Sequence, residues 1–196
     1  MDSNFFALIS RMRYIARWGL MRNALPENIQ EHSHMVAVFA HALGVIRRDI
    51  FRKPCDVNAL ATAALYHDAS EILTGDLPTP IKYHNAEIMS AYHAVEDLAV
   101  QKLLGMLPPE LRETYADVLS EDKDGDIYPL VKAADKLSAY IKCIEERKAG
   151  NNEFLSAEAQ TRAALEASPL PEVQYFLEHF IPAFERDLDE LGAIGQ

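Results

Sequence analysis

The sequence has 196 residues, enough for one hydrophobic core, and we expect a single domain over residues 1–196. Hydrophobic residues make up 49% of it and charged residues 25%, the balance of an ordinary globular protein. The formal net charge of −11 argues against polymeric nucleic acid as a partner, because proteins that bind it neutralise phosphates with clustered Lys and Arg. A single phosphate is compatible with this charge, since one cation and one arginine can neutralise it.

No apolar run approaches the roughly 18 residues that span a bilayer, so we expect no membrane partner. The N-terminus has no basic region ahead of an apolar stretch, which argues against a signal peptide. The two cysteines, Cys55 and Cys143, lie far apart and form no paired motif. Together these features predict a cytoplasmic protein without a disulfide framework.

Apolar residues at helical spacing predict that the first three elements are helices. The first covers residues 4–14 after a candidate cap at Ser3. The second begins after Asn28, with Glu31 as the partner in a capping box, and extends to about residue 50. Asp56 is a candidate cap for a third helix over residues 57–73, and a stretch rich in Gly and Pro at 74–80 then breaks the pattern.

Five more helices are predicted at residues 86–104, 109–119, 129–148, 153–167 and 171–191. Turn-forming or acidic stretches at 108–109, 121–126 and 150–152 separate them. Alternating patterns typical of β-strands are absent. The sequence therefore predicts an all-α fold, a single-domain helical bundle built by packing amphipathic helices.

The residues that indicate chemistry centre on His67, Asp68 and Glu71. Imidazole nitrogens and carboxylate oxygens together suit divalent metals such as Zn, Mn or Co. On the predicted third helix, Glu71 lies one turn beyond the other two on the same face, within reach of metal-bound water. The adjacent His and Asp alone are weak support, because a partly buried histidine hydrogen-bonded near a helix end also explains them.

Two further residues favour a metal site. His32 lies on the apolar face of the second predicted helix, and Asp135 lies among apolar neighbours inside another. An Asp in such a setting requires a partner or a metal. His34 is two positions from His32, on a different face, and is left out of the site. The acidic stretch at 122–126 is rejected as a calcium loop because its Gly is in the fourth position instead of the sixth.

Six segments together carry a resemblance over nearly the whole chain: Arg17-Trp18, Glu31-His32-Ser33, Tyr66-His67-Asp68-Ala69-Ser70-Glu71, Thr74-Gly75-Asp76-Leu77-Pro78-Thr79-Pro80, Ala134-Asp135 and Gly150-Asn151-Asn152-Glu153-Phe154. The spaced His, His-Asp and Asp residues resemble the HD-domain superfamily of metal-dependent phosphohydrolases. The longer segments are similar to the bacterial 5′-deoxynucleotidases within it.

This resemblance implies a role for each matching residue. One divalent cation, such as Co²⁺, Mn²⁺ or Zn²⁺, would be bound by His32, His67, Asp68 and Asp135. The expected catalytic residues are Glu71 as acid/base, Arg17 on the phosphate, and Asp68. Asp68 and Asp135 would also face the substrate. The pocket for the deoxynucleoside would be lined by Trp18, Asp76, Leu77, Pro78 and Thr79.

The residue types suit these roles. The planar guanidinium of Arg17 can donate two parallel hydrogen bonds to a phosphate. The flat ring of Trp18 would leave no room for a 2′-hydroxyl, and Asp76 would accept a hydrogen bond from the 3′-hydroxyl. Without the resemblance, Trp18 is more simply a core anchor, and residues 75–80 are a rigid connection between helices.

The resemblance implies hydrolysis of deoxyribonucleoside 5′-monophosphates to deoxynucleoside and phosphate by a homodimer, selective against ribonucleotides and with little base preference. An alternative is the same site acting on a ribonucleotide, a nucleoside triphosphate or a cyclic nucleotide. Triphosphates call for more basic residues than Arg17 and Arg22 provide. A metal-free nucleotide-sensing module is a third interpretation, which Glu71 disfavours because such a module has no chemical reason to retain it.

Overall fold

The computed structural model describes residues 2–82, 84–120 and 125–192, apart from the side chains of residues 79 and 80. Within these ranges the chain forms α-helices and no β-strand, which confirms the predicted all-α fold. The helices are α1 (Phe5–Ile9), α2 (Ile29–Val45), α3 (Val57–Tyr66), α4 (Glu71–Thr74), α5 (Thr79–Lys82), α6 (Ala86–Gly105), α7 (Pro109–Leu119), α8 (Tyr128–Lys148), α9 (Leu155–Glu166) and α10 (Pro171–His179). In the described ranges, no helix combines the length and apolar character needed to cross a bilayer.

The start of α2 agrees with the sequence prediction. The Asn28 side chain accepts a hydrogen bond from the backbone N–H of Glu31 at 3.1 Å, and the Glu31 carboxylate accepts one from the Asn28 N–H at 3.3 Å. This capping box satisfies N–H groups that have no partner inside the helix. It sets the register of α2, and therefore the direction in which His32 points.

Three of the predicted helices change to another helix type before their predicted end. Residues 4–14 form α1 and then a 3-10 segment at Ser10–Tyr14, and α2 passes into a π-helical turn at Ile46–Ile50. The predicted helix at 171–191 ends at His179 and continues as a 3-10 segment at Ile181–Glu185. Pro182 explains this early end, because proline has no backbone N–H and its ring clashes with the preceding turn of an α-helix. The first four residues of the acidic stretch at 121–126 lie outside the described ranges.

The third predicted helix is divided in two. It ends at Tyr66, and the chain passes through a turn before α4 begins at Glu71. In this turn the Ala69 N–H bonds to the Tyr66 carbonyl at 2.9 Å and the Glu71 N–H to the Asp68 carbonyl at 3.0 Å, three residues apart instead of four. His67 and Asp68 therefore lie in a tightened corner, and the expectation of one continuous helix is wrong.

Buried side chains of α2, α3, α8 and α10 form the main core. It includes Val36, Leu43, Leu60, Leu137, Ile144 and Phe176. A second apolar cluster packs Phe5 of α1 against Leu103, Leu107 and Leu119. Because α2, α3 and α8 share one core, the polar residues at their neighbouring ends are brought close together.

Gly44 allows the close approach of α2 to α3. A Cβ atom at this position would lie 2.9 Å from Val57 Cγ1 and 3.0 Å from Leu60 Cδ2, closer than such atoms normally approach. The side chains around it are buried, so there is little space into which they could move. The absence of a side chain at Gly44 therefore sets the spacing of the two helices.

We expect Gly44→Ala to lower the free energy of unfolding by about 1–2 kcal/mol, because overpacking outweighs the better helix propensity of Ala. Chemical denaturation measures the change. Gly105→Ala is a matched control in α6, since nothing lies within 4 Å of the added Cβ, and its stability should be unchanged or higher. Equal stability of the two variants would contradict this packing account.

Candidate metal centre and substrate site

Three helices bring together two histidines and a carboxylate. His32 lies in the second turn of α2, His67 follows the last residue of α3, and Asp135 lies in α8. One ligand atom from each residue lies within 4.8 Å of the other two. Two imidazole nitrogens and a carboxylate oxygen at such spacing form a candidate site for a divalent metal.

The two imidazole rings are oriented by their Nδ1 atoms. His67 Nδ1–H donates to the Ala64 carbonyl at 2.8 Å, which leaves Nε2 with a lone pair. His32 Nδ1 lies 3.2 Å from the Ser138 hydroxyl. Both Nε2 atoms are buried and make no hydrogen bond of regular geometry, although each lies 3.1 Å from a carboxylate oxygen. Metal-binding histidines are commonly held this way, with one nitrogen bonded to the protein and the other directed at the ion. The residues present therefore fit a metal.

Asp68 lies beside this three-residue cluster. Its Oδ2 is 3.1 Å from His67 Nε2 and 3.5 Å from His32 Nε2. Asp135 Oδ1 is 3.1 Å from His32 Nε2. Burial opposes ionisation of both carboxyls, but the neighbouring histidines more than offset it, and for Asp68 also Arg17, so that both pKa values are well below their ordinary values. Both residues are therefore carboxylates at neutral pH.

The carboxylates also affect His67. Burial would lower the pKa of His67, but Asp68 and Asp135 outweigh it and raise this pKa above the ordinary value. The negative potential that favours a proton on the imidazole also favours a metal cation at the same place. The electrostatics and the ligand types thus agree.

Glu71 is the buried acid of the site. Its side chain lies at the start of α4, and its Oε2 is buried without a hydrogen-bond partner. Burial raises the pKa of Glu71 to about 10, with further contributions from the negative charges of Asp68 and Asp76. Without a cation, Glu71 therefore holds a proton at neutral pH.

Arg17 and Trp18 lie on the loop between α1 and α2. Arg17 Nη1 is 3.4 Å from Asp68 Oδ2, so the guanidinium borders the metal ligands. Burial disfavours the charge of Arg17, but the carboxylates of Asp68, Asp135, Glu27 and Asp76 outweigh burial and raise its pKa. The indole of Trp18 packs against Phe154 with ring centroids 5.2 Å apart.

Asp76 lies next to this pair. Burial raises the pKa of its carboxyl, although Arg17 and the nearby backbone N–H of Trp18 favour ionisation. Gly75 directs the chain there with φ 75° and ψ 164°, a conformation that is essentially restricted to glycine. Leu77 and Pro78 follow as half-buried residues, and Thr79 begins α5, its side chain being outside the described part of the chain.

The structure brings most of the predicted site residues together in two adjoining groups. The candidate metal cluster comprises His32, His67 and Asp135, with Asp68 and Glu71 beside it, and the second group comprises Arg17, Trp18 and Asp76. His34 is exposed, as expected for a residue outside the site. Sequence reasoning missed Glu27 and gave Ser138 no role. Ser138 had a detectable signal, since it lies three residues after Asp135 on the same face of α8. Glu27 had none, because its contacts depend on how the loop closes.

Comparison with known proteins assigns the family. A family model described as YfbR-like 5′-deoxynucleotidase matches residues 4–184. The chain belongs to the YfbR-like 5′-deoxynucleotidase family. It is 50% identical over 192 residues to the 5′-deoxynucleotidase YfbR of Shigella boydii, covering 97% of this chain and 96% of that protein. These likenesses confirm the predicted family and the predicted enzyme class, a 5′-deoxynucleotidase and phosphohydrolase.

Solved structures support the HD-type fold of this YfbR-like enzyme. A crystal structure of an HD-domain phosphohydrolase from Listeria innocua matches with a TM-score of 0.82 and 25% identity, over 94% of this chain and 90% of that chain. The HD phosphohydrolase DatZ of cyanophage S-2L, bound to dA and one catalytic Zn²⁺ ion, matches with a TM-score of 0.59 and 24% identity, over 97% and 99%. At that identity, the second likeness concerns the fold alone.

The raised pKa of Glu71 predicts how the stability of the metal-free enzyme depends on pH. In the unfolded chain Glu71 ionises near its ordinary pKa of 4.5, whereas in the folded chain it keeps its proton up to about 10. Its contribution to stability is therefore present at low pH and is lost as the pH rises from 4.5 towards 10.

We expect wild-type unfolding free energy to fall relative to that of Glu71→Gln by up to about 1.4 kcal/mol per pH unit across this interval. The amide of the variant is neutral at every pH and does not titrate. Denaturation of both chelator-treated proteins over a pH series measures the difference. Parallel pH profiles would mean that Glu71 ionises normally in the folded protein.

Proposed function

We propose that this enzyme hydrolyses deoxyribonucleoside 5′-monophosphates to deoxynucleoside and inorganic phosphate, with one divalent cation bound by His32, His67, Asp68 and Asp135. The observation that carries the proposal is the pair of buried Nε2 atoms that make no regular hydrogen bond and lie beside two ionised carboxylates. The name of the Shigella relative, 5′-deoxynucleotidase, supports the substrate class. The Zn²⁺ in the cyanophage protein supports a transition metal such as Zn²⁺, Co²⁺ or Mn²⁺.

The cation, when bound, supplies Lewis-acid polarisation of the phosphate and lowers the pKa of a water molecule. The protein contributes the orientation of the ligands. Ala64 and Ser138 hold the two imidazoles through Nδ1, and Arg17 holds Asp68. These contacts leave the ligand atoms directed at one place before a cation arrives, so little reorganisation accompanies its binding.

Glu71 is the proposed acid/base residue. Its burial beside Asp68 and Asp76 keeps a proton on the carboxyl at neutral pH, and a nearby cation would lower this pKa towards the range in which proton exchange is efficient. A carboxyl that holds its proton suits delivery to the leaving 5′-oxygen. Glu71 would then take up a proton from water to complete the cycle.

Arg17 is the proposed phosphate-binding residue. Its guanidinium is mostly buried, with the side chain 12% exposed, and borders Asp68 at the metal side. In this setting its charge is only weakly screened, so hydrogen bonds to a phosphate are strong. Arg17 thereby orients the phosphorus with respect to the attacking water.

Trp18 and Asp76 are proposed to select the sugar. The Trp18 backbone N–H lies near enough to Asp76 to favour its ionised form, and in this proposal the two residues form one wall. The indole would exclude a 2′-hydroxyl and Asp76 would accept from the 3′-hydroxyl, while Leu77, Pro78 and Thr79 complete the lining. Contacts to sugar and phosphate, without contacts to the base edge, account for the proposed low base preference.

The other substrates, the oligomeric state, the cellular location and the number of domains also remain proposals. The alternative substrates are ribonucleotides, nucleoside triphosphates and cyclic nucleotides at the same metal centre. A homodimer agrees with the exposed apolar side chains near the C-terminus, such as Phe180, Leu188 and Leu191. A cytoplasmic location and a single domain over residues 1–196 remain predictions.

We expect phosphate release from deoxyribonucleoside 5′-monophosphates only, dependent on added Co²⁺, Mn²⁺ or Zn²⁺ and abolished by a chelator. Glu71→Gln should reduce kcat by at least about 100-fold and retain metal binding in titration calorimetry, because the amide cannot exchange a proton. His32→Ala should lose metal binding instead. If no monophosphate is hydrolysed, the proposed substrate class is wrong, and triphosphates and cyclic nucleotides would be tested next.

We expect Trp18→Ala to lower the deoxy-to-ribo ratio of kcat/KM by about tenfold or more, because removal of the ring opens space for the 2′-hydroxyl. Kinetics on dAMP and AMP, and on dUMP and UMP, measure the ratio. Arg17→Lys is the matched comparison at the proposed phosphate-binding residue. It should reduce kcat/KM for the deoxyribonucleotides and for the ribonucleotides by a similar factor. An unchanged ratio in Trp18→Ala would refute the steric account.

A further inference from the structure

Backbone hydrogen bonds join the two ends of the loop that carries Arg17 and Trp18. The backbone N–H of Arg17 donates to the Glu27 carbonyl at 3.0 Å, and the N–H of Ile29 donates to the Ile15 carbonyl at 3.0 Å. An isolated antiparallel bridge between Ala16 and Asn28 lies between these two bonds. Arg17 and Trp18 are therefore attached to the capped start of α2, the helix that carries His32.

The Glu27 carboxylate contacts both the proposed phosphate-binding residue, Arg17, and the residue proposed to select the sugar, Trp18. Its Oε2 accepts hydrogen bonds from Arg17 Nε at 3.1 Å and from Trp18 Nε1 at 3.1 Å. The Glu27 side chain is only 15% exposed, so solvent weakens these bonds little. We infer that Glu27 is a positioning residue that holds Arg17 and Trp18 in one fixed arrangement and thereby sets the preference for deoxyribose.

A carboxylate suits this position because its oxygens accept hydrogen bonds. It must accept from a guanidinium and an indole N–H at one oxygen, and neither donor can reverse its role. An Asp would be one methylene shorter and could not reach both donors. A Gln keeps the shape but loses the charge, and its NH₂ group repels both donors if it faces them.

Trp18 needs such a restraint because its backbone is strained. Its φ of 57° places it in the left-handed region, which is unfavourable for a bulky residue. Such conformations persist where surrounding contacts impose them, and they cluster at ligand sites. The contacts here include the Met21 N–H on the Trp18 carbonyl at 2.8 Å, the Phe154 ring against the indole, and Glu27 on Nε1. Of these, Glu27 alone also contacts Arg17.

Loss of the Glu27 charge changes both partners. Arg17 retains Asp68 as its ionic partner at 3.4 Å, so the guanidinium would move towards the metal ligands and away from its phosphate-binding position. The indole would lose the acceptor that fixes its rotation about the side-chain bonds, and the wall against the 2′-hydroxyl would become mobile. The two effects should therefore appear together in one variant.

This inference rests on the proposed function, and the test uses two independent readouts on the full-length protein. Trp18 is the only tryptophan in the chain, so intrinsic fluorescence reports on its ring directly. The variants are Glu27→Gln and Glu27→Ala. The matched control is Glu166→Gln, which removes an exposed carboxylate paired with Arg162 on α9.

In Glu27→Gln we expect stronger acrylamide quenching of Trp18 fluorescence. We also expect the deoxy-to-ribo ratio of kcat/KM to fall by about tenfold, because the variant loses a charge-assisted hydrogen bond. Glu27→Ala should show the larger change in both readouts. Glu166→Gln should match the wild type. Thermal unfolding identifies any variant that does not fold. If Glu27→Ala does not fold, the milder variant Glu27→Gln still tests the inference.

Lower stability of Glu27→Gln with unchanged quenching and an unchanged ratio would overturn the inference and leave Glu27 with a structural role only. A changed ratio without changed quenching would also overturn it, because the effect would not pass through Trp18. A wild-type enzyme without activity on deoxyribonucleotides would contradict the proposed function, and with it the role of Glu27 in specificity.

Discussion

The central constraint in this protein is the burial of two imidazole nitrogens that make no regular hydrogen bond next to two ionised carboxylates. An uncompensated charge or an unpaired polar atom in an apolar interior is unfavourable, so this cluster requires either a cation or an extensive set of protein partners. His32, His67 and Asp135 come from three helices, and the cluster exists only while α2, α3 and α8 keep their spacing. The close approach at Gly44 therefore contributes to the metal site, although this glycine touches no ligand.

A second polar network supports the substrate side of the site. Glu146 is fully buried on α8 and accepts hydrogen bonds from the backbone N–H groups of Ala24 and Leu25 at 2.8 and 3.0 Å, and from Asn151 Nδ2 at 2.7 Å. Lys142 contacts both Glu146 and the Leu25 carbonyl. These bonds hold the loop that carries Arg17 and Trp18 against α8. Residues 150–154 are connected to the same loop, since Asn151 bonds to Glu146 and Phe154 packs against Trp18.

The division of charge across the site accounts for its chemistry. Asp68 and Asp135 stay ionised because cationic or polar neighbours outweigh the effect of burial, whereas Glu71 stays protonated because burial and two nearby carboxylates act in the same direction. This separation suits the proposed roles, in which some carboxyl groups bind a cation and another exchanges a proton. Such a separation of pKa values between neighbouring acids is typical of hydrolytic sites.

Local sequence patterns determined the helical fold class, the capping box at Asn28, most helix limits and the family, because these depend on periodicity, capping and residue order. The resemblance also indicated the candidate ligand residues, whose types suit a divalent metal. Only the tertiary structure decided that the chain turns at residues 67–70 instead of continuing as a helix. It alone showed that Glu27 bonds to both Arg17 and Trp18. The physical reason is that these contacts arise when distant segments pack, and no local preference of Glu27 encodes them.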